Sequence, residues 1–228
     1  MHARGVAAPA ERAVPVMGVI AVQGAFALHL AAFRRLGVTA LEVRTPEQLG
    51  LVDAVVIPGG ESTTISMMLA FNGLVEPLQA ALAAGMPALG TCAGMIVLAR
   101  DIVDGRADQR SLAAIDLTVR RNAFGRQVDS FETDLVIDGL AGGPFPAVFI
   151  RAPSVVEVGP EVDVLARLEA QAGGDVVFVR QGDVFAAAFH PELSGDDRVH
   201  QLLVDTAAAR RTTGSVAVAS GRGAHRLT

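Results

Sequence analysis

The sequence has 228 residues, of which 51% are hydrophobic and 19% are charged, and its formal net charge at pH 7 is −5. This composition supplies enough apolar side chains for a folded core and excludes a disordered chain, and a pI of about 5.5 gives no basic surface for nucleic acid. No uninterrupted apolar stretch reaches the roughly 18 to 20 residues that span a bilayer, so we expect no membrane role.

All 19 basic residues are arginine, because the sequence contains no lysine. Residue type alone therefore excludes imine formation on a lysine and phosphate loops that end in Gly-Lys. Cys92 is the only cysteine, so it has no intramolecular disulfide partner, and the first residues lack the long apolar segment of a signal peptide. We expect a cytoplasmic protein.

The first half of the chain alternates apolar runs with amphipathic segments. In chain order the pattern predicts a strand at 16–22, a helix at 25–37, strands at 39–44 and 53–60, helices at 62–73 and 75–84, a strand at 86–90 and a helix just after Cys92. This alternation indicates a mostly parallel sheet covered by helices on both faces. Ligands of such sheets bind at the carboxyl ends of the strands.

The second half has a different pattern. Strands are predicted within 116–137 and 147–158, a hairpin at 175–190 around "QGD", and a last helix from about 196 to 210. We therefore expect one α/β domain over 16–211, with an antiparallel extension of its mostly parallel sheet. Residues 1–15 are expected to be a flexible N-terminal extension and residues 212–228 a flexible C-terminal tail.

Cys92 lies between a predicted strand and a predicted helix, in the sequence "GTCAG" (90–94). Small residues on both sides permit the sharp turn of a nucleophile elbow, for which G-x-C-x-G is the thiol version. At the start of a helix the free amides and the helix dipole favour the thiolate, which is the attacking form. The alternative is an inert buried cysteine, the commoner fate of a lone thiol.

A nucleophilic thiol needs a base, and "FHPEL" (189–193) offers His190 with Glu192 two residues later. In an extended backbone both side chains point to the same side, so Glu192 would orient the imidazole. Taken alone, such a pair is more often a surface ion pair. We expect His29 to face a neighbour or solvent and His200 to be a packing or surface residue, and assign neither a catalytic role.

The segment "IPGGESTT" (57–64) ends a strand, turns through two glycines and begins a helix. Ser62 or Thr63 is the expected N-cap, and the backbone amides of the turn are candidates for an oxyanion hole. Pro-Gly-Gly is also an ordinary tight turn, and for an isolated example that interpretation would be preferred.

Together these segments resemble the triad class I glutamine amidotransferases, and six of them in order resemble the glutaminase-subunit family of pyridoxal 5′-phosphate synthase. The matching segments span about residues 17 to 205 and read "GVIAVQGA", "IPGGESTT", "GTCAGMI", "RNAFGRQVDSFE", "FIRAP" and "AFHPEL". The fourth and fifth distinguish this branch from other glutaminases.

The resemblance implies hydrolysis of L-glutamine to L-glutamate and ammonia, with no cofactor and no metal. Cys92 resembles the family's nucleophile, His190 its general base and then acid, and Glu192 the partner of that histidine. Gly60 resembles the oxyanion-hole donor. The implied glutamine-binding positions are Gly60, Glu61, Ser62, Arg121, Ile150 and Arg151. Which arginine contacts the substrate carboxylate stays open at this point.

The resemblance also implies a partner, the larger synthase subunit, which receives the ammonia and makes pyridoxal 5′-phosphate. In the family the glutaminase is assembled around a dodecameric synthase core and is activated by docking. Gln23 matches a position near that contact, whereas Ala27 and Leu28 replace a charged pair that is usual there. The alternatives are a glutaminase of another amidotransferase complex and a stand-alone γ-glutamyl cysteine hydrolase. A non-enzymatic scaffold is disfavoured because the thiol and the histidine are both present.

Overall fold

The computed structural model describes residues 14–106, 108–121, 130–169 and 174–221. Within them a seven-stranded sheet has the spatial order β10-β11-β12-β4-β3-β1-β2. Its strands are β1 Met17–Ile20, β2 Ala40–Val43, β3 Ala54–Ile57, β4 Ala88–Thr91, β10 Asp163–Arg167, β11 Val176–Gln181 and β12 Val184–Ala187. The five strands from β12 to β2 are parallel, whereas β10, β11 and β12 pair antiparallel.

The apolar runs form the centre of this sheet. Every residue of β1, β3, β4 and β12 is buried, as expected for strands that are covered on both faces. The helices are α1 Phe26–Arg35, α2 Pro46–Leu49, α3 Ser62–Phe71, α4 Val75–Ala83, α5 Ala93–Leu98 and α6 Arg198–Gly221. Helix α1 packs on α6 and α3 packs on α5, and α1, α5 and α6 contact strands of the sheet.

Strands β10 and β11 form the antiparallel extension of the large sheet, and two smaller sheets, in which only β5 and β6 pair parallel, complete the described part of the domain. One has the order β5-β6-β9 and the other pairs β7 with β8. Their strands are β5 Ala99–Ile102, β6 Ile115–Arg120, β7 Ser130–Leu135, β8 Phe145–Ile150 and β9 Ser154–Val158. Phenylalanine contacts join the β7–β8 sheet to the rest of the core: Phe149 stacks on Phe131 and packs in a tilted arrangement against Phe189. The predicted fold class, a single α/β domain with a mostly parallel sheet and an antiparallel part, is confirmed.

The structure differs from the predicted elements at the end of the last helix and at several short elements. The last helix continues to Gly221 instead of ending near residue 210, and residues 211–221 contain no proline that would end it. Pro15, expected in the N-terminal extension, is buried. The short elements α2, β5 and β10 were not predicted. Residues 1–13, 222–228 and the 122–129 part of "RNAFGRQVDSFE" lie outside the described residues.

Among the described residues, no single helix is both long enough and apolar enough to cross a membrane. Helices α3 and α4 meet that test only when they are taken together, and the chain bends by 98° between them.

Candidate active site

Cys92 occupies a strained turn between β4 and α5, with φ of 49° and ψ of −104°. Its amide donates to the Ala187 carbonyl at 2.8 Å, which ties the turn to β12. The flanking glycines allow the start of α5 to pack closely on β4 and β3. A Cβ on Gly90 would lie 2.6 Å from the Gly94 carbonyl, and a Cβ on Gly94 would overlap the Ile57 carbonyl oxygen. A left-handed backbone at a residue with a side chain costs about 1 to 3 kcal/mol, which the surrounding packing must offset.

His190 follows β12 and begins a 3₁₀ turn, Pro191–Leu193, that contains Glu192. His190 Nδ1 and Glu192 Oε1 lie 2.7 Å apart, and the Glu192 side chain is fully buried. The predicted pairing is therefore present, although the turn, and not an extended backbone, brings the two side chains together. The His190 amide donates to the Val148 carbonyl at 2.8 Å, which fixes the start of the turn against β8.

His190 and Glu192 each stabilise the charged form of the other. Burial disfavours the charged imidazole, but hydrogen bonds and charges from Cys92 and Glu192 outweigh burial and raise the pKa of His190 to about 10. Burial likewise opposes ionisation of Glu192, but the hydrogen bond with His190 lowers the pKa of that carboxyl. His190 is thus held as an imidazolium that can give a proton to a leaving group.

The turn after β3 lies directly against both groups. A Cβ on Gly59 would lie 3.0 Å from His190 Nδ1, overlap His190 Cε1 and lie 3.4 Å from Cys92 Cβ, so a side chain there would displace the ring. The N-cap of α3 is Glu61 and not Ser62 or Thr63 as predicted. Its carboxylate accepts from the amides of Thr63 at 3.0 Å and Thr64 at 2.7 Å. Burial opposes ionisation, but the hydrogen bond from the Thr64 hydroxyl at 2.7 Å, together with the two amide bonds, outweighs it and lowers the pKa of Glu61 to about 2.

A second turn, at residues 23–25, holds the Gly59–Glu61 turn in place. Gln23 Oε1 accepts from the Glu61 amide at 3.1 Å, and the Ala25 amide donates to the Gly59 carbonyl at 3.0 Å. Gly24 has a φ of 94°, and a Cβ there would overlap the Gly59 carbonyl oxygen. Gln23 therefore contacts the candidate oxyanion turn directly, as well as lining the cavity beside it.

These groups surround a cavity of about 320 Å³. Its lining includes every substrate-binding position that the resemblance implied, together with Cys92, His190 and Gln23, and it adds two apolar residues, Ala93 and Ile96. Glu192 lies behind His190 and outside the lining. The described residues contain no group of three His, Cys, Asp or Glu side chains that could hold a metal ion.

The two arginines of the cavity differ in their contacts. Arg121 is already engaged, because it donates to Glu61 at 2.8 Å and to Gln109 at 3.0 Å. Arg151 is exposed, has a φ of 46°, and its guanidinium has no hydrogen-bond or ion-pair partner among the described residues. The preceding residue, Ile150, accepts a hydrogen bond from the Cys92 thiol across 3.8 Å through its carbonyl.

Three polar residues near the site were missed by the sequence analysis. Gln109 joins Arg121 to the start of α3 through Ser62 Oγ at 3.2 Å and Thr63 Oγ1 at 3.3 Å. His29 and His200 are fully buried, so of the alternatives left open by the sequence the structure shows a neighbour-facing His29 and a packing His200. For His29 a signal existed, since Ala32 and Phe33 follow it at helical spacing on the buried face of α1.

The arrangement suits acyl transfer from an amide. A thiol, a protonated imidazole oriented by a carboxylate, and a glycine turn whose amides lie near both groups are the parts that such a reaction needs. The cavity beside them combines a carboxylate, two guanidinium groups and a backbone carbonyl, which can receive a zwitterionic ligand.

Comparison with known proteins agrees with this chemistry. The chain is 56% identical over 194 residues to the pyridoxal 5′-phosphate synthase subunit PdxT of Rhodococcus opacus, covering 84% of this chain and 96% of that protein. It is 55% identical over 197 residues to the PdxT subunit of Acidothermus cellulolyticus, covering 86% of this chain and 95% of that protein.

Solved structures of other proteins have the same fold as this chain. A crystal structure of a glutamine amidotransferase superposes with a TM-score of 0.78 at 46% identity, covering 84% of this chain and 98% of that one. A chain of PurLQS from Thermotoga maritima shares the fold, with a TM-score of 0.61 at 17% identity over 84% of this chain and 98% of that one. The model of the SNO glutamine amidotransferase family matches residues 19–209, and the chain belongs to that family.

Proposed function

We propose that this chain hydrolyses L-glutamine to L-glutamate and ammonia as the glutaminase subunit of a pyridoxal 5′-phosphate synthase. The observation that carries the proposal is the convergence of Cys92, the His190–Glu192 pair and the Gly59–Glu61 turn on one cavity. Family membership and the names of the similar proteins support the choice of glutamine and of the synthase.

In the first chemical step the Cys92 thiolate attacks the side-chain amide carbon of glutamine. The carbonyl oxygen becomes an oxyanion, and the backbone amide of Gly60 donates to it. The carbon–nitrogen bond then breaks, His190 gives its proton to the departing nitrogen, and ammonia leaves a γ-glutamyl thioester on Cys92. Water attacks this thioester while His190 takes a proton from it, which releases glutamate and restores the thiolate.

Contacts within the cavity suggest how the ends of glutamine are bound. Arg121 is held by Glu61 and Gln109, so its role is to orient Glu61 toward the substrate ammonium group. Arg151, whose guanidinium has no partner in the described part of the chain, binds the α-carboxylate. The Ile150 carbonyl and Ser62 complete the pocket. Arginine suits this task because its planar fork matches a carboxylate.

The ammonia passes to a larger synthase subunit, around whose dodecameric core the glutaminases assemble. The absence of lysine from this chain supports such a division of labour, since imine chemistry on sugar phosphates needs an amine. Gln23 lies in the turn that holds the Gly59–Glu61 turn, so docking at Gln23 would act directly on the oxyanion hole. The reaction needs no cofactor, and it takes place in the cytoplasm.

The test is ammonia release from glutamine at fixed enzyme concentration while the synthase subunit is titrated in, with binding followed in parallel. Release that rises with occupancy of the synthase supports the proposal. Full activity before any synthase is added supports the stand-alone hydrolase instead, and binding without ammonia release contradicts the glutaminase.

A further inference from the structure

Behind the His190–Glu192 pair lies a buried polar cluster that the proposed reaction does not use. His29 Nε2 lies 3.5 Å from Glu192 Oε2 and 3.3 Å from Thr91 Oγ1, while His29 Nδ1 lies 2.9 Å from His200 Nε2. His29, Thr91 and His200 are all fully buried. Unpaired polar groups are costly in such a place, so the cluster calls for a physical explanation.

The available hydrogen-bond partners favour one arrangement of the protons on His29 and His200. In the described residues, Glu192 Oε2 and His200 Nδ1 are the buried side-chain atoms that make no hydrogen bond of good geometry. If His200 Nε2 carries its proton and donates to His29 Nδ1, then His29 Nε2 carries the other proton, which faces both Thr91 Oγ1 at 3.3 Å and Glu192 Oε2 at 3.5 Å. The opposite arrangement would leave a buried N–H without an acceptor at His200 Nδ1 and no donor facing the carboxylate, which is the costlier state.

Both histidines are neutral at physiological pH. Burial is the largest cause, and it lowers the pKa of His29 to about 4 although the nearby Glu192 charge opposes it. Burial and the neighbouring His29 lower the pKa of His200 to about 3. A neutral His29 can give Glu192 a hydrogen bond without competing with His190 for its negative charge.

We propose that His29 is a positioning residue for the hydrolysis: held in its Nε2–H tautomer by His200, it anchors the second oxygen of Glu192 and so keeps the first oxygen on His190. A carboxylate fixed through one oxygen can rotate about its last torsion, which has a broad energy minimum. The contact with His29 removes that freedom. The series of contacts from His200 through His29 and Glu192 to His190 thus links α6 and α1 to the catalytic thiol. This role of His29 rests on the proposed function.

A purely structural role for the same cluster makes a different prediction. Phe33 packs edge-on against the His200 ring, with centroids 5.3 Å apart, so the histidines also fill space between α1 and α6. If filling space were their only role, loss of His29 and loss of packing at Phe33 would have the same effect on activity at equal loss of stability.

The experiment compares His29→Leu, His29→Gln and the packing control Phe33→Leu in the full-length chain. Leucine removes both ring nitrogens, whereas the glutamine amide places an N–H donor near the former Nε2. Two quantities are measured: kcat and KM for glutamine with the synthase bound, and the downfield proton resonance of His190 Nδ1–H in the free chain, assigned by its loss in Glu192→Gln.

We expect His29→Leu to lower kcat roughly 10-fold with little change in KM, a part of the about 10²- to 10⁴-fold that acid–base catalysis contributes. The His190 resonance should disappear or move upfield in His29→Leu, and His29→Gln should restore both kcat and the resonance. Phe33→Leu should lower stability and keep the resonance.

An unchanged resonance and kcat in His29→Leu would overturn the proposal, as would a His29→Gln protein no better than His29→Leu, or equal loss of activity in Phe33→Leu. The resonance is recorded without glutamine and without the synthase. A chain that released no ammonia would therefore contradict the proposed function while the spectrum still decided whether His29 positions Glu192.

Discussion

Replacing Glu192 with glutamine removes a charge that lies 2.7 Å from His190 Nδ1 and keeps the size of the side chain. The side chains of His190 and Glu192 are only 10% and 0% exposed, so water screens their interaction poorly. The neutral amide stabilises an imidazolium less than the carboxylate does. We therefore expect the pKa of His190 to fall in Glu192→Gln, and the stability of the protein to change its dependence on pH.

The magnitude follows from the pKa of His190, which is raised from 6.5 to about 10 because hydrogen bonds and charges from Cys92 and Glu192 outweigh the lowering by burial. At about 1.4 kcal/mol per unit, this shift is worth roughly 5 kcal/mol, divided between the two partners. A hydrogen bond to a charged group contributes about 1.5 to 3 kcal/mol, so we expect loss of the Glu192 charge to cost roughly 2 kcal/mol. Since the folded-state pKa is the higher one, this stabilisation is complete below the unfolded-state pKa and is lost as the pH rises through the folded-state value.

The assay is urea unfolding of Cys92→Ser and of Cys92→Ser with Glu192→Gln, because the serine background removes the effect of Cys92 on the pKa of His190. At about pH 6.5 the second protein should be less stable by roughly 2 kcal/mol, and near pH 10 the difference should shrink to a fraction of that. Equal destabilisation at both pH values would refute the reasoning, because it would show that Glu192 does not hold His190 in its charged form.

Three other substitutions test the geometry of the site. Gly59→Ala should lower kcat with a small loss of stability, because the added Cβ overlaps His190 Cε1. The control is Gly50→Ala, whose Cβ would have its nearest neighbour at 3.4 Å, and equal kcat in both variants would contradict the close contact between Gly59 and His190. Gly94→Ala should lower the free energy of unfolding by about 1 to 3 kcal/mol or more, since its Cβ overlaps the Ile57 carbonyl oxygen, and urea unfolding that matches the native protein would count against the tight elbow. Arg151→Gln should raise KM for glutamine more than Arg121→Gln does, and the reverse order in steady-state kinetics would exchange the roles of the two arginines.

The order of the main elements could be predicted from the sequence because the information is local. Each central strand is a short apolar run, and Gly90 and Gly94 around the lone cysteine indicate a turn too tight for larger residues. The pairing of His190 with Glu192 was predictable for the same reason, since only Pro191 separates them. Short elements of mixed composition, such as β5 and β10, carry no comparable pattern and were missed.

The rest of the site depends on contacts between distant parts of the chain. His29 and His200 are 171 positions apart, and only the packing of α1 on α6 brings their rings together. Gln109 reaches Ser62 across 47 positions in the same way. The N-cap of α3 was assigned to Ser62 or Thr63 because hydroxyl residues are common caps, but Glu61 lies one residue earlier and its two oxygens satisfy two amides at once.

The most direct test of the account is acid-quenched intact-mass analysis of the chain during turnover of glutamine with the synthase subunit present. The account predicts a γ-glutamyl adduct on Cys92 of the native chain that accumulates when hydrolysis is slowed, with neither adduct nor ammonia release in Cys92→Ala. Ammonia release by Cys92→Ala at the native rate, or an adduct on any residue other than Cys92, would contradict the claim that this thiol is the nucleophile.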